Sequence, residues 1–294
     1  MQNASWEVYI GLRWMRRAAE GIRHMSTDLE GLFAAFNGTI GRSTMTDSEF
    51  GETFRQMMAA LVRFDYVVVF AYRGKERPID LYSTFDREEH VVFVTLYQAG
   101  PYLLDPFYHT ARERRQGVLR MRELAPDRFF SSEYYRTYYV QTGLAEEIGF
   151  FVNADDDVTI VLSLMRREKT GVFPPAEFAT LKKVEPLVAN MVRYYWSGLA
   201  SRFDAQLAAG SRSRRRKGEN ETIPPAETVW RDLNLTSRET AIVELVLQGH
   251  SSESIGLKLN ISTGTVKVHR RNVYRKLGIS SQTQLLSLYL KNLA

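Results

Sequence analysis

Along the first two-thirds of the chain, the apolar positions switch repeatedly between a helical and a strand period. From Phe50 to Val62 they recur at helical spacing (Phe50, Phe54, Met57, Met58, Leu61), with Asp47 or Ser48 as N-cap. Tyr66 to Tyr72 is a valine-rich apolar run that predicts a buried strand. Leu104 to Arg115 reads as helical and Gly117 to Met121 as a short strand, and Pro126 opens a helical stretch reaching Tyr139. Glu147–Val152 and Val158–Met165 flank Asn153, Ala154 and three aspartates, which predicts a hairpin. Pro174 or Pro175 starts a long amphipathic helix through Trp196. The order helix, strands, helices, hairpin, helix predicts an α+β domain, an antiparallel sheet with helices packed over it.

The last sixty residues change character. Thr236 and Glu239 are spaced as a capping box, and the helix they open buries Ile242, Val243, Leu245 and Val246 and ends at Gly249. Ser251 or Ser252 caps a second helix carrying Ile255 and Leu259, and a turn at Asn260–Ile261 follows. Ser262 caps a third helix, Thr263 to Leu277, stopped by Gly278; Ser281 begins a fourth. Two short helices joined by a tight turn predict a helix-turn-helix within an all-α four-helix domain. With Val266 as the zero of angle, Val273 and Leu277 fall within about 20° of it, while Lys267, Val268, Arg271 and Arg275 lie between roughly 100° and 200°. One face is apolar; the other is cationic.

Charge supports that division. Residues 1–200 carry 24 Lys/Arg against 26 Asp/Glu, whereas 231–294 carry nine against four, the balance expected of a polyanion-binding module joined to something else. Between them, 201–230 holds the basic run from Arg212 to Lys217 and the Pro224–Pro225 pair, and reads as a linker. The basic run serves either as a solvated tether or as an arm on DNA phosphates. The division is therefore an amphipathic helix over 1–27, an α+β sensing or dimerisation domain over 28–200, the linker over 201–230 and the helix-turn-helix domain over 231–294. The first helix, with Trp6 and Trp14, is a dimerisation element or a lid over the sheet.

Leu235, Thr236, Arg238 and Glu239, Gln248 and Gly249, Ser251, Ile255, Leu259, Ile261 and Ser262, Gly264 to His269, and Arg275 to Gly278 together resemble the LuxR/NarL helix-turn-helix family. Gly256 stands where that family usually has alanine. The resemblance covers about sixty residues. It implies a homodimer reading an inverted repeat in double-stranded DNA, with Lys267, Val268 and Arg271 at the groove and dimer contacts from Leu285, Leu288 and Tyr289. Ser262, Thr265, Arg270 and Arg275 complete the candidate DNA-binding set. Cations neutralise phosphates, the amides opening a capped helix hold one, and Lys, Arg and Val read guanine edges and thymine methyls.

In the α+β domain the notable feature is aromatic density around an Asp-Pro. Tyr97, Tyr102, Asp105, Phe107, Tyr108, Phe129 and Tyr134 are candidates to line a pocket for a small effector bearing an N–H or an amine. The alternative is that these rings fill the core or a dimer face. Tyr102, Asp105 and Pro106 are loosely similar to the ligand-domain motif of LuxR quorum-sensing receptors, in which an aspartate holds an amide N–H. Gly117 to Met121 stands where a tryptophan would follow, so the expectation is a GAF/PAS-like sensor of another small molecule. The rival expectation is a domain that only dimerises or binds a protein partner.

Other chemistries find little support. The chain has no cysteine, which removes disulfides, thiolate metal sites and thiol catalysis. Its five histidines are scattered, no catalytic carboxylate pair or nucleophile motif is present, and no enzyme, metal or cofactor is expected. Residues 38–44 lack the lysine of a P-loop, and the strand at 66–72 lacks the acidic end of a phosphoacceptor domain. Asp155, Asp156 and Asp157 read as turn residues, with metal binding the minor alternative. The longest apolar run, Val67 to Ala71, is too short for a bilayer, and residues 1–20 lack the apolar core of a signal peptide. A cytoplasmic protein is expected.

Overall fold

Strand β1, Tyr66–Arg73, is buried along its whole length because both faces of the sheet are covered. Its even-numbered residues Val68, Phe70 and Tyr72 point to one face and Val67, Val69 and Ala71 to the other, as strand geometry requires. The computed structural model describes residues 28–154, 157–217, 230 and 233–293; the helix expected over 1–27, with Trp6 and Trp14, and the turn residues Asp155 and Asp156 lie outside them.

The sheet has five antiparallel strands in the order β2-β1-β5-β4-β3, where β2 is Ile79–Ser83, β3 Gly117–Arg120, β4 Leu144–Asn153 and β5 Val158–Arg167. β4 and β5 form the expected hairpin, and β2 has no counterpart in the sequence reading. On the odd face of β1 pack α1 (Leu29–Asn37), α2 (Asp47–Ala59) and a later helix, α6 (Pro175–Tyr195). α2 is capped by Thr46, whose hydroxyl accepts from the Glu49 amide while Glu49 accepts from the Thr46 amide, so the cap lies one or two residues before Asp47 or Ser48.

The even face is covered by irregular, aromatic-rich chain. α3 (Arg87–His90) runs on into a wide turn over Val91–Leu96; a tight turn at Pro101–Leu104 leads into α4 (Pro106–Arg112), with Asp105 as N-cap. After β3 and α5 (Met121–Leu124), the stretch expected to be one helix from Pro126 to Tyr139 is instead broken into short turns at Phe129–Ser131 and Tyr135–Tyr139. Its rings pack on each other, Tyr135 stacking on Tyr139 at 5.3 Å, and not along a single helical stripe.

α7 spans Leu199–Lys217, so the first half of the expected linker is helical, and Leu199 and Phe203 bury themselves against α2, α6 and the sheet. The basic run ends this helix. The C-terminal domain is the four-helix unit read from sequence: α8 (Ser237–Leu247), α9 (Ser252–Leu259), α10 (Thr263–Leu277) and α11 (Gln282–Leu293). Its core and that of the sheet's even face form one continuous apolar cluster. No helix among the described residues is long and apolar enough to cross a membrane.

Candidate DNA-binding face and ligand chamber

α10 is built as its periodicity demands. Val266 and Val273 are fully buried against Ile242, Val243 and Ile255, and Leu277 is half-buried. Thr265, Lys267, Val268, Arg271 and Arg275 are exposed on the opposite side. Ser262 caps the helix: its hydroxyl accepts from the Thr265 amide at 3.0 Å and shares a 2.8 Å hydrogen bond with the Thr265 hydroxyl. Asn260 takes the left-handed turn conformation that ends α9, and Ser251 caps the start of that helix. The arrangement offers a capped helix with a cationic outer face, as major-groove reading requires. Arg270 is placed differently from its cationic neighbours. It is half-buried and donates to the Ser252 hydroxyl at 3.2 Å, tying α10 to α9.

Three residues of α11, Leu285, Leu288 and Tyr289, were expected to make dimer contacts. Leu285 and Tyr289 are buried within the chain, and the Tyr289 ring stacks on Trp230 with centroids 5.3 Å apart; Leu288 is half-buried. Docking of the two domains on one another covers Tyr289, which helps close a cleft of about 540 Å³ between Tyr108 and Arg112 on one wall and Thr240 and Glu244 on the other.

On the even face of the sheet lies a chamber with about 60 Å³ of free space. Three rungs of aligned residues make its floor: Phe70, Val161 and Phe151; Val68, Ser163 and Gly149; Tyr66, Met165 and Glu147. Gly149 is required there, because a Cβ would stand 2.9 Å from the Phe107 ring above it. The roof and walls come from Phe93, Tyr97, Asp105, Phe107, Tyr134 and Tyr139. Asp105 accepts from the Phe107 amide at 2.8 Å and from the Tyr97 hydroxyl at 2.7 Å, and Tyr97 in turn hydrogen-bonds Tyr72 at 2.8 Å. Across the chamber, Glu147 accepts from the Tyr139 hydroxyl at 3.2 Å.

Both carboxyls are enclosed in apolar surroundings. Burial pushes Asp105 up to about 6 and Glu147 up to about 8, Glu147 being raised further by the charge of Asp105. Burial likewise raises Tyr72, Tyr97 and Tyr139. Among the described residues, no Lys or Arg lines the chamber.

Of the seven ligand residues read from sequence, Tyr97, Asp105, Phe107 and Tyr134 line the chamber and Tyr102, Tyr108 and Phe129 do not. Successive helical residues point about 100° apart, so once Asp105 caps α4 and Phe107 faces the sheet, Tyr108 turns away. It packs edge-on against Tyr102 at 5.1 Å and donates to the Gly74 carbonyl. Phe129 is buried behind Tyr134 and Tyr139. Phe70, Tyr72, Tyr139, Glu147 and Ser163 went unread. The alternation Val68, Phe70, Tyr72 puts two of them on one face, but only the strand register brings Glu147 and Ser163 beside them. Asp157, in the acidic turn, lies 3.7 Å from the Arg73 guanidinium, and no cluster of potential metal ligands occurs among the described residues.

Residues 233–289 match the family model of bacterial regulatory proteins, luxR family. A putative HTH-type transcriptional regulator in the exeN 3'region of Aeromonas salmonicida is 34% identical over 190 residues, covering 64% of this chain and 94% of that protein. The putative HTH-type transcriptional regulator YhjB of Escherichia coli (strain K12) is 43% identical over 51 residues, 17% of this chain and 26% of that protein. Among solved structures, the VqsR LBD domain from Pseudomonas aeruginosa is similar with a TM-score of 0.47 at 23% identity, over 56% of this chain and 93% of that one. The relative from Aeromonas salmonicida, matched over nearly its whole length, and the family model over the helix-turn-helix together place this chain in the luxR family of bacterial regulatory proteins: it is a DNA-binding transcriptional regulator, not an enzyme.

Proposed function

We propose that this regulator reads an inverted-repeat operator as a homodimer and that a small molecule in the chamber sets its DNA affinity, in the bacterial cytoplasm. The observation that carries the sensing half is Asp105, a fully enclosed carboxylate in an aromatic chamber without a buried cation. Asp105 caps α4 and accepts from Tyr97, yet no Lys or Arg among the described residues lines the chamber, and a buried charge without a counter-charge costs stability. A ligand N–H or amine arriving at Asp105 removes that cost, and the rings supply apolar and cation–π contact. The chamber as it stands holds only a few atoms, so the ligand is small or displaces Tyr134 and Tyr139 as it enters. Lys267, Val268 and Arg271 meet base edges, while Ser262, Thr265 and Arg275 hold phosphates.

The test is native mass spectrometry and a thermal-shift screen of amines and amides on the full chain. A retained small molecule, or a melting shift of several degrees that Asp105→Ala abolishes without loss of DNA affinity, supports sensing. No response from any compound favours the rival reading, a domain that only dimerises or binds a protein partner, to which the small free volume also points. Light scattering and footprinting on a selected operator test the dimer; a monomer protecting a single half-site refutes it.

A further inference from the structure

The cleft of about 540 Å³ between α4 and α8 has the volume of a small-molecule site and far exceeds the free space in the chamber. Asp105 and Glu147 do not line it. One wall carries Arg112 from α4 and Lys75 from the turn after β1; the other carries Glu244 from α8. Leu104, Leu247 and Tyr289 supply apolar lining.

Glu244 is half-buried, and its carboxylate has no hydrogen-bond or ion-pair partner among the described residues. Burial raises it above the ordinary carboxylate value, while the charges of Lys75 and Arg112 act across the cleft in the opposite direction. A partly desolvated carboxylate that stands clear of the cations facing it costs stability until a donor fills the gap. Arg112 is exposed, with its guanidinium over the Tyr108 ring at 5.5 Å. With five N–H groups, a guanidinium stacked in this way keeps donors for a bidentate carboxylate. His109 adds an acceptor. Its ring lines the same cleft and donates to the Leu103 carbonyl, and burial and the charge of Arg112 push its pKa down to about 4. The imidazole is therefore neutral, and its Nε2 has no partner among the described residues.

A simple anion in this cleft would face Glu244, and a simple cation would face Arg112 and Lys75. A ligand that carries both charges avoids both repulsions. We propose that the cleft binds a small zwitterion with an apolar body, such as an apolar α-amino acid or dipeptide. Glu244 and His109 accept from its ammonium group, Arg112 donates to its carboxylate, and Leu104, Leu247 and Tyr289 pack on the remainder. The site is built by both domains, since Arg112 and His109 come from the sheet domain and Glu244 from the helix-turn-helix. It is independent of the sensing reading above, whose ligand sits at Asp105.

Titration calorimetry on the full chain tests this with L-leucine and L-leucyl-L-leucine, each compared with its C-terminal amide and its N-acetyl form. The expected result is one-to-one binding by at least one of the two zwitterions and at least tenfold weaker binding by both of its capped forms. Glu244→Gln and Arg112→Gln should each weaken that binding at least tenfold, while Asp105→Ala leaves it unchanged. The capped ligands act on the parent chain, so the comparison stays decisive if a variant does not fold. No binding by either zwitterion at millimolar concentration, or equal binding by the capped forms, overturns the cleft site. Binding that Asp105→Ala abolishes and Glu244→Gln leaves intact places the ligand in the chamber, which overturns the cleft site and supports the sensing reading.

Discussion

The Tyr97 hydroxyl donates to the buried Asp105 carboxylate at 2.7 Å in the wall of the chamber. The contact satisfies one carboxylate oxygen and is the bond an incoming N–H must share or replace. Tyr97→Phe removes that donor without changing ring volume. The free protein should lose about 1–3 kcal/mol, the usual cost of stranding a buried polar group. Any melting shift produced by an amine or amide ligand should grow, because the ligand then supplies the missing donor. Calorimetry on the variant checks both; an unchanged melting temperature means that Asp105 is satisfied elsewhere.

Glu147 gives the fold a pH dependence of definite sign. Its folded value, about 8, is raised above the ordinary carboxylate value because burial and the nearby Asp105 disfavour its charge. A group raised on folding binds its proton more tightly in the native state, so its contribution is fully present below about pH 4.5 and is lost as pH rises to about 8. Asp105, raised to about 6, acts in the same direction over the lower part of that window. The unliganded protein should therefore lose stability, on the order of a few kcal/mol, between pH 5 and 8. Glu147→Gln should flatten much of that slope and melt higher than the parent at pH 8. Denaturant midpoints at several pH values measure it, and a parent curve that is flat or rises would contradict the buried, uncompensated state of Glu147.

For DNA binding the sharpest variants are Lys267→Ala and Arg271→Ala, both exposed on α10 and without a role in its packing. Each should weaken specific binding by about 1–3 kcal/mol if it donates to a base edge. A phosphate-holding cation such as Arg275 should instead lower affinity for all sequences alike and reduce the salt dependence by about one unit of slope. Gel shifts across a salt series separate the two behaviours. Unchanged binding by all three would mean that another face reads the duplex.

The helix-turn-helix was legible almost to the residue because its signals are local. Thr236, Ser251 and Ser262 cap helices through amides three residues away, and Val266, Val273 and Leu277 report the buried face by spacing alone. The chamber was half legible for the opposite reason. Asp105 and Tyr97 are close in sequence, but Glu147 and Ser163 reach the same space only through the pairing of β4 with β5 and of β5 with β1. Aromatic density also proved ambiguous: Tyr102 and Tyr108 serve a contact outside the chamber, and Tyr289, apolar at helical spacing, stacks on Trp230 and lines the cleft between domains. Periodicity says that a side chain is buried, not against what.

Trp230 is fully buried and stacks on Tyr289, whose ring lines the cleft between the two domains. Trp230→Ala should cost about 3–5 kcal/mol, as for other large-to-small changes in packed cores, and should lower the melting of the helix-turn-helix before that of the sheet domain. Domain-resolved hydrogen exchange follows this; uniform protection in the variant would show that the ring contributes little to either.

Gly249 carries the last prediction. Its backbone has φ +95°, and its missing Cβ is what lets the Phe129 backbone approach. Alanine is strained at that angle wherever the domains sit, which costs about 1–2 kcal/mol. In the docked arrangement it must also push Phe129 away, and with it the Arg128 hydrogen bond. The docked state is therefore penalised more than the undocked one. Gly249→Ala should accordingly lower thermal stability and speed hydrogen exchange of the Arg128 amide, which the Gly249 carbonyl accepts in the docked chain. Loss of stability with the Arg128 amide still protected would show that Gly249 serves only the fold of its own helix end.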